Sequence, residues 1–442
     1  MDPHLLPYAE RQAPRYTSYP SANHFDSSVD ATMYDGWLRA LGESSTLSLY
    51  LHIPYCRQLC WYCGCNTFLT RGGDIADFVT TLMMEIDLVA SALSSRNVDE
   101  IHWGGGTPNV LSPAEFRRLW HHLDFWFDLS PQTQHGIELD PRYVTVELAT
   151  TYADAGVTRV SLGIQDLNPH VQEAIGRVQP FELVHDAVQI LRNAGLSDLS
   201  FDLVYGLPEQ TSDDLARTIK LAADLEPRRI AVFGYAHVPW FKRRQRLINA
   251  DTLPGSSERH EQAELAQRLL TDLGYESVGL DHYARSDEPL AIAARAKSLR
   301  RNFQGYVASA SDALIGFGPS AISQLPVGYA QNIPTIGAWR QAVESDVLPI
   351  ARGHMQTAED LRRAAVIQTI MCDLEIDLAP WGGWEKFPDA QVLVAQLAAD
   401  GIVELHDSSL TIPPSMRQFS RLVAMTFDAY ASPSSTAHSR AI

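Results

Sequence analysis

Six short runs of β-forming residues, Leu47–His52, Glu100–Trp103, Gly136–Leu139, Thr158–Gly163, Asp198–Val204 and Arg229–Tyr235, alternate with longer stretches of helical period. No other feature of the chain limits its fold so tightly. Strand–helix repeats at this spacing require a parallel sheet whose crossovers are right-handed. The helical stretches carry their own start signals. Ser112-Pro-Ala-Glu115 is a capping box ahead of Phe116, Leu119, Trp120, Leu123 and Phe127, which share one face. Thr211-Ser-Asp-Asp214 opens another helix, bearing Leu215, Ile219 and Ala222 and ending at Pro227. A seventh strand is expected at Tyr275–Gly279. No Gly-x-Gly-x-x-Gly follows the first strand, so an open or complete (β/α) barrel fits better than a dinucleotide-binding sheet.

Barrels of this kind work at the C-terminal ends of their strands. Those ends carry polar residues set into apolar runs. Gly104-Gly-Gly-Thr-Pro108 follows the second strand, Glu138 lies in the third, Gln165 ends the fourth and Asp202 interrupts the fifth. One buried ionisable group is as well explained by a structural anchor. Several on successive strands, at one end of a barrel, point to a ligand site. The glycine run lets backbone approach a ligand without Cβ interference, and Thr107 adds a hydroxyl.

The loop after the first strand reads Cys56-Arg-Gln-Leu-Cys60-Trp-Tyr-Cys63-Gly-Cys65 and holds four of the chain's five cysteines. Three thiolates at Cys56, Cys60 and Cys63 can ligate three irons of a [4Fe–4S] cubane, leaving the fourth iron open to a small molecule. A zinc site is the alternative from the same residues. Against it stand the one-residue gap between Cys63 and Cys65 and the absence of a second knuckle. Cys372, in an apolar helical pattern, reads as a core thiol. An odd cysteine count without a signal peptide argues for a reducing, cytoplasmic setting.

The formal charge of −18 excludes nucleic acid as a general partner, and no segment approaches the ~20 apolar residues of a membrane span. It also means that any anionic substrate must be met by local arginines. Beyond about Gly353 the pattern changes. Thr357-Ala-Glu-Asp360 caps a helix with Leu361, Ala364, Ala365 and Ile367. Another helix spans Gln391–Leu397, and Gly401–Ile412 reads as a hairpin turning at Asp407-Ser-Ser409. This order is winged-helix-like, but the segment is acidic, which suits covering the barrel mouth or docking an electron donor better than groove binding. The expected organisation is an arm over 1–45, an α/β barrel with a substrate-site extension over 46–352, and a mostly helical domain over 353–442. The tail from Ser432 is rich in Ser and Ala.

The cysteine loop resembles the cluster motif of radical S-adenosylmethionine enzymes, Cys-x3-Cys-x-aromatic-Cys, with Tyr62 as the aromatic. Gly104–Pro108 resembles their methionine-amine loop. The similarity narrows to the oxygen-independent coproporphyrinogen III oxidase family through Pro14–Pro20 (Pro-Arg-Tyr-Thr-Ser-Tyr-Pro), Cys63–Asn66, Ile137–Pro141, Gly163–Asp166, Asp202–Pro208, Tyr235–His237 and Asn302–Tyr306. These matches run in order through nearly the whole chain. The resemblance implies a partial (β/α)6-type barrel. It implies that Cys56, Cys60 and Cys63 bind the [4Fe–4S] cluster and that S-adenosylmethionine occupies the open iron. Tyr50, Tyr62, Gly105, Glu138 and Ile322 would contribute to its pocket. A second S-adenosylmethionine would be lined by Gly106, Thr107, Gln165, Arg177, Asp202 and Ala236. Cys65 matches an extra cysteine that does not ligate the cluster.

The implied activity is oxidative decarboxylation of two coproporphyrinogen III propionates to vinyl groups by a 5′-deoxyadenosyl radical, giving protoporphyrinogen IX for haem biosynthesis. It implies a reduced flavodoxin- or ferredoxin-type electron donor and a terminal acceptor that the sequence does not name. The protein is expected to act as a monomer. Arg15, Arg177, Arg300 and Arg301 are the candidates to meet the substrate carboxylates, because guanidinium forks bind them bidentately. Tyr16 and its neighbours in the arm would form a lid or strap. Two departures stand out: Arg300 replaces the family's histidine, and Gly234 stands where some members have asparagine. A haem-handling relative, a radical methyltransferase and a zinc-binding interaction module are the rival readings.

Overall fold

The computed structural model describes residues 3–71, 73–309 and 311–431. At its centre is one twelve-stranded sheet. Strands β1 (Leu47–Ile53), β2 (Val98–Gly105), β3 (Gln134–Leu139), β4 (Arg159–Gln165), β5 (Leu199–Tyr205) and β6 (Arg229–Gly234) lie parallel and side by side in chain order. Helices α1 (Asp74–Ala92), α2 (Pro113–Trp126), α3 (Val146–Asp154), α4 (Phe181–Asn193) and α5 (Ser212–Asp224) connect them, and α6 (Ser256–Asp272) follows β6. This is the partial six-fold barrel, open rather than closed. Both expected capping boxes form, at Ser112/Glu115 and Thr211/Asp214. The strands are covered on both faces. In β1 only Tyr50 is not fully buried, and Leu49, Leu51, Ile101 and Trp103 pack against Phe78, Leu82 and Phe116 from the helices.

The seventh strand is the main difference. A strand does occupy Glu276–Val278 (β7), but it forms the sheet's edge and runs antiparallel to β8 (His282–Ala284), which pairs antiparallel with β6. The parallel set is extended instead on the other side, where β9 (Ala313–Phe317) pairs with β1. Antiparallel strands β10 (Ile322–Leu325), β11 (Gly328–Asn332) and β12 (Ile350–Met355) continue from it. A chain that returns through a two-residue-scale hairpin can only pair antiparallel, whereas β9 reaches β1 by a long non-local path.

Beyond the sheet, α7 (Ala358–Asp373) begins at a capping box of Thr357 and Asp360 and carries Cys372 buried in its core face. Helix α8 (Pro388–Ala399) precedes a hairpin of Glu404–His406 and Ser409–Thr411 that turns at Asp407, and Glu375–Asp377 adds a third strand. The helix–hairpin order of a winged helix is therefore present. The arm packs into the core of this segment: Leu5, Tyr8, Ala13, Tyr16 and Tyr19 share one cluster with Val366, Ile370, Phe387, Phe419 and Phe427. The tail expected from Ser432 lies outside the described residues. Among the described residues, no helix is long and apolar enough to cross a membrane.

Candidate active site

The C-terminal ends of the parallel strands open into a cavity of about 650 Å³. The loop after β1 brings Cys56, Cys60, Cys63 and Cys65 to its wall, and Tyr62 lies among them. All are free thiols. Each of the first three sulfurs meets a donor. Thr107 Oγ1 donates to Cys56 Sγ at 3.4 Å, Arg177 Nη1 to Cys60 Sγ at 3.3 Å, and the amide of Cys65 to Cys63 Sγ at 3.4 Å. Donors of this kind favour thiolate, the form that binds metal. The Cys65 hydrogen bonds, with help from Arg244 and Lys242, hold the Cys63 thiol down at about 6, although burial opposes them. Burial pushes Cys56 up to about 11. Among the described residues no three His, Cys, Asp or Glu groups converge on one point. Cys56, Cys60 and Cys63 line one cavity, where a cubane would take each thiolate on a different iron.

The glycine run after β2 is explained by packing inside the protein. A Cβ on Gly104 would sit 2.9 Å from the Glu138 carboxylate, and one on Gly105, where φ is +104°, would sit 2.5 Å from the His52 ring. Gly105 therefore requires glycine, whereas at Gly104 a Cβ would displace the Glu138 carboxylate from its place at the cavity wall. Glu138 accepts from His102 Nε2 at 2.9 Å and from the Gly105 amide at 3.3 Å. Its side chain lies deep in the protein yet is 43% accessible from the cavity. Burial alone would raise its carboxyl, but the His102 contact outweighs it and holds the group below the ordinary value. Asp202 shows the opposite balance. Burial, then the charge of Glu138, pushes it up to about 6 while the Ser161 hydroxyl donates to it at 2.9 Å. At the end of β4 the ladder slips between Gly163 and Gln165, and Gln165 takes a φ of +66°. That bulge aims Gln165 at the cavity, a sparsely populated conformation of the kind kept at functional sites. Gly106, Thr107 and Ala236 complete the same wall.

The four candidate arginines separate. Arg177 is fully engaged, bonding Cys60 Sγ, Asp140 Oδ2 at 3.1 Å, the Gly163 carbonyl at 2.8 Å and Gln179 Oε1 at 3.0 Å. Arg300 is exposed and lines a separate cleft with Ser48 and Glu100. Arg15 lines the main cavity and donates to the Gly234 carbonyl at 3.2 Å. Arg301 lies behind it, with Nε 3.3 Å from the Arg15 carbonyl and its guanidinium over the Tyr306 ring. Tyr16 points away from the cavity and donates to Asp428 at 2.9 Å, so this tyrosine anchors the arm that presents Arg15. Tyr50 and Ile322 are outside the cavity lining. Tyr50 instead stands 3.1 Å from His52 Nδ1 and stacks near His102.

Sequence reasoning missed several residues here. Asp140 receives both Arg142 and Arg177, and Arg142 also reaches Gln58 at 2.8 Å. Asp140 lies inside a quoted motif, one position from the end of β3, and that register was the available signal. The loop of 238–247 also closes on the cavity, through Phe241, Lys242, Arg244 and Gln245. Its run of basic residues was visible, but its destination was not. Gln245 Nε2 donates to the Tyr62 carbonyl at 2.8 Å and Arg244 Nη2 to the Thr67 carbonyl at 3.1 Å, tying that loop to the cysteine loop.

Comparison with known proteins agrees with this geometry. Residues 50–222 match the radical SAM superfamily. The chain is 43% identical to the oxygen-independent coproporphyrinogen III oxidase of Bradyrhizobium diazoefficiens, covering 98% of each chain. It is 36% identical to that of Escherichia coli, covering 94% of this chain and 93% of the other. The solved structure of Escherichia coli coproporphyrinogen III oxidase (HemN), described as a radical SAM enzyme, superposes with a TM-score of 0.89 at 34% identity, over 95% of this chain and 100% of that one. Three thiols on one loop facing a strand-end cavity, together with similarity over nearly the full length of these relatives, lead to a single conclusion: the chain belongs to the oxygen-independent coproporphyrinogen III oxidase family of radical SAM enzymes.

Proposed function

We propose that the protein decarboxylates coproporphyrinogen III oxidatively and without oxygen, converting the propionates of rings A and B to the vinyl groups of protoporphyrinogen IX in haem biosynthesis. When bound, a [4Fe–4S] cluster and S-adenosylmethionine supply the radical chemistry that an unactivated C–H bond demands. The chain's own residues hold, orient and shield. Cys56, Cys60 and Cys63 would hold the cluster, with Thr107 and Arg177 donating to two of the sulfurs. Tyr62, Gly105 and Glu138 would form one wall for S-adenosylmethionine, with Tyr50 fixing the His52 ring behind it. Gly106, Thr107, Gln165, Arg177, Asp202 and Ala236 form one continuous lining, which supports a second S-adenosylmethionine beside the first. Arg15 would meet a substrate carboxylate, and Cys65 lies in the same lining. One observation carries the reading: a single cavity opens on both the three thiols and an arginine delivered by the N-terminal arm.

The test is an anaerobic assay with coproporphyrinogen III, S-adenosylmethionine and a reductant, following protoporphyrinogen and 5′-deoxyadenosine together. Cys60→Ser should abolish both products. Undiminished porphyrin formation by that variant would overturn the reading.

The electron must come from outside, and a cytoplasmic acidic one-electron carrier of the flavodoxin or ferredoxin type fits the surface beside the cluster loop. There Trp240 and Phe241 are 60% and 72% exposed, next to exposed Arg243 and Arg246. A basic, aromatic patch on a chain of net charge −18 is complementary to such a carrier. The bonds from Arg244 and Gln245 fasten the patch to the cysteine loop.

A further inference from the structure

The loop of 238–247 has two faces. Trp240, Arg243 and Arg246 are outside the cavity lining, whereas Phe241, Lys242, Arg244 and Gln245 belong to it. The lining face is fastened from several sides. Gln245, only 1% exposed, accepts from the Val238 amide at 2.6 Å and donates to the carbonyls of Tyr62 at 2.8 Å and Ala236 at 3.0 Å. Arg244 gives Nη1 to Thr67 Oγ1 at 3.2 Å and Nη2 to the Thr67 carbonyl at 3.1 Å. Lys242 is therefore carried on a segment bound to the cysteine loop.

Four cations line the cavity: Arg15, Arg177, Lys242 and Arg244. Three of them are engaged by the protein. Arg177 bonds Cys60, Asp140, Gly163 and Gln179, Arg244 bonds Thr67, and Arg15 donates to the Gly234 carbonyl. Lys242 differs. It is half-buried, and among the described residues its ammonium forms no ion pair and no hydrogen bond. Its contact is the Phe241 ring, whose centroid lies 5.2 Å from Nζ. The charge of Lys242 reaches Cys63 and Cys65, and that of Arg15 also reaches Cys65, so both cations belong to the thiol-lined part of the cavity. In a chain of net charge −18, a cation set there with its donors unused is a ready partner for a carboxylate.

We infer that Lys242 is a specificity-determining residue, which takes the carboxylate of the ring A or ring B propionate brought to the thiol-lined part of the cavity. The inference rests on the proposed function. A propionate that reacts must lie near the cysteine loop, and Lys242 is fixed to that loop. An ammonium is a compact point charge on a flexible stem, so it follows a carboxylate without dictating its plane, as a guanidinium fork would. That suits a site which must receive two different propionates in turn. Loss of the carboxylate as carbon dioxide removes the anion that Lys242 holds. The ring is then released, and the macrocycle can turn to present its second propionate. The competing role for Lys242 is to offset thiolate charge beside Cys63, and measurement separates the two.

The test is equilibrium binding, by fluorescence, of two porphyrins to the purified protein. Coproporphyrin III carries propionates on all four rings, whereas mesoporphyrin IX keeps those of rings C and D and has ethyl groups on A and B. Lys242→Gln should weaken coproporphyrin III about tenfold and change mesoporphyrin IX by less than about twofold. Lys242→Arg, which keeps the charge, should restore most of the lost affinity. Thermal melting confirms that each variant is folded. In turnover, Lys242→Gln should raise the KM for coproporphyrinogen III by a similar factor, while iron content and S-adenosylmethionine affinity stay at native levels. Unchanged affinity for coproporphyrin III in Lys242→Gln would overturn the inference. So would an equal loss for both porphyrins, which would mean that no ring A or B carboxylate is read. Loss of iron from that variant would assign Lys242 to the thiolates instead. The two readings are separable: native turnover with unchanged porphyrin affinity in Lys242→Gln sinks the role of Lys242 alone, whereas absence of protoporphyrinogen formation by the native protein sinks the function and that role with it.

Discussion

Two buried charged clusters sit at opposite ends of the same strands, and they are built differently. At the N-terminal ends, Arg159 at the start of β4 faces Glu100 of β2 at 3.8 Å, and Arg229 at the start of β6 pairs with Glu288. Asp198, just before β5, feels both arginines. Two cations there are answered by three anions. Glu100 is further satisfied by the hydroxyls of Ser48 and Ser309, and Glu288 accepts from the Leu290 amide. At the opposite end, five arginines face one carboxylate. Buried charge is tolerable when it is paired. The cluster at the N-terminal ends is therefore architecture. Barrel enzymes divide their faces in the same way, with stability at the N-terminal end and chemistry at the C-terminal end.

The largest effect that would break this contrast is a loss of folding at the closed end. Arg229→Met strands Glu288, which is 1% exposed, and should cost about 3–5 kcal/mol in denaturant unfolding. Arg417→Met strands no carboxylate, since its described acceptor is the Gly279 carbonyl, so its stability cost should be far smaller. Equal destabilisation by the two variants would mean that the mouth cluster is structural as well.

Glu85 sharpens the rule, because it is a buried carboxylate whose described partners are neutral hydrogen-bond donors and it takes no part in the cavity lining. It accepts from the Gly318 amide at 2.8 Å, Trp339 Nε1 at 3.0 Å and Asn332 Nδ2 at 2.5 Å, joining α1 to the strands after β9. Burial pushes it up to about 7 against those hydrogen bonds. A carboxylate can shed its charge near neutrality, whereas a guanidinium cannot. The sign of the pH effect follows. Between about pH 4.5 and 7 the unfolded chain releases the proton and the folded chain keeps it. Stability should therefore fall across that window by up to about 3 kcal/mol and then level off. Urea midpoints against pH, compared with Glu85→Gln, would reveal it: the variant should lose that slope.

The same contrast separates what the sequence disclosed from what it hid. Strands β1–β6 and their capping boxes depend on neighbours close in the chain, and they were legible. The cysteine loop was legible because its ligands are consecutive on one turn. Strand β9 was not, since Ala313–Phe317 is short and pairs with a strand more than 260 positions earlier. The glycines of Gly104–Gly106 were legible as an approach site, but the groups that approach are Glu138 and His52 rather than a ligand alone. Arg417 and Arg421 carried no local signal at all. Their neighbours come from distant parts of the chain: Arg421 donates to the Ala13 carbonyl of the arm, some 400 residues away, and Arg417 to the Gly279 carbonyl. For the same reason deletion of the arm is a poor test of Arg15: it would strip Tyr8, Tyr16 and Tyr19 from the C-terminal core.

The smallest expected effect concerns a third kind of positive charge, exposed rather than buried. Arg243 and Arg246 lie in water beside Trp240 and Phe241, so salt screens them, with a Debye length of about 8 Å at 0.15 M. The arginines of the mouth pocket are shielded from that screening by burial. Reversal of both surface charges, Arg243→Glu with Arg246→Glu, should raise the KM for a reduced flavodoxin about tenfold and leave dithionite-driven turnover near native. Raising the salt concentration should mimic the reversal in the native protein. If salt left the KM for the donor unchanged, the aromatic pair alone would dock it, because only apolar contact survives screening.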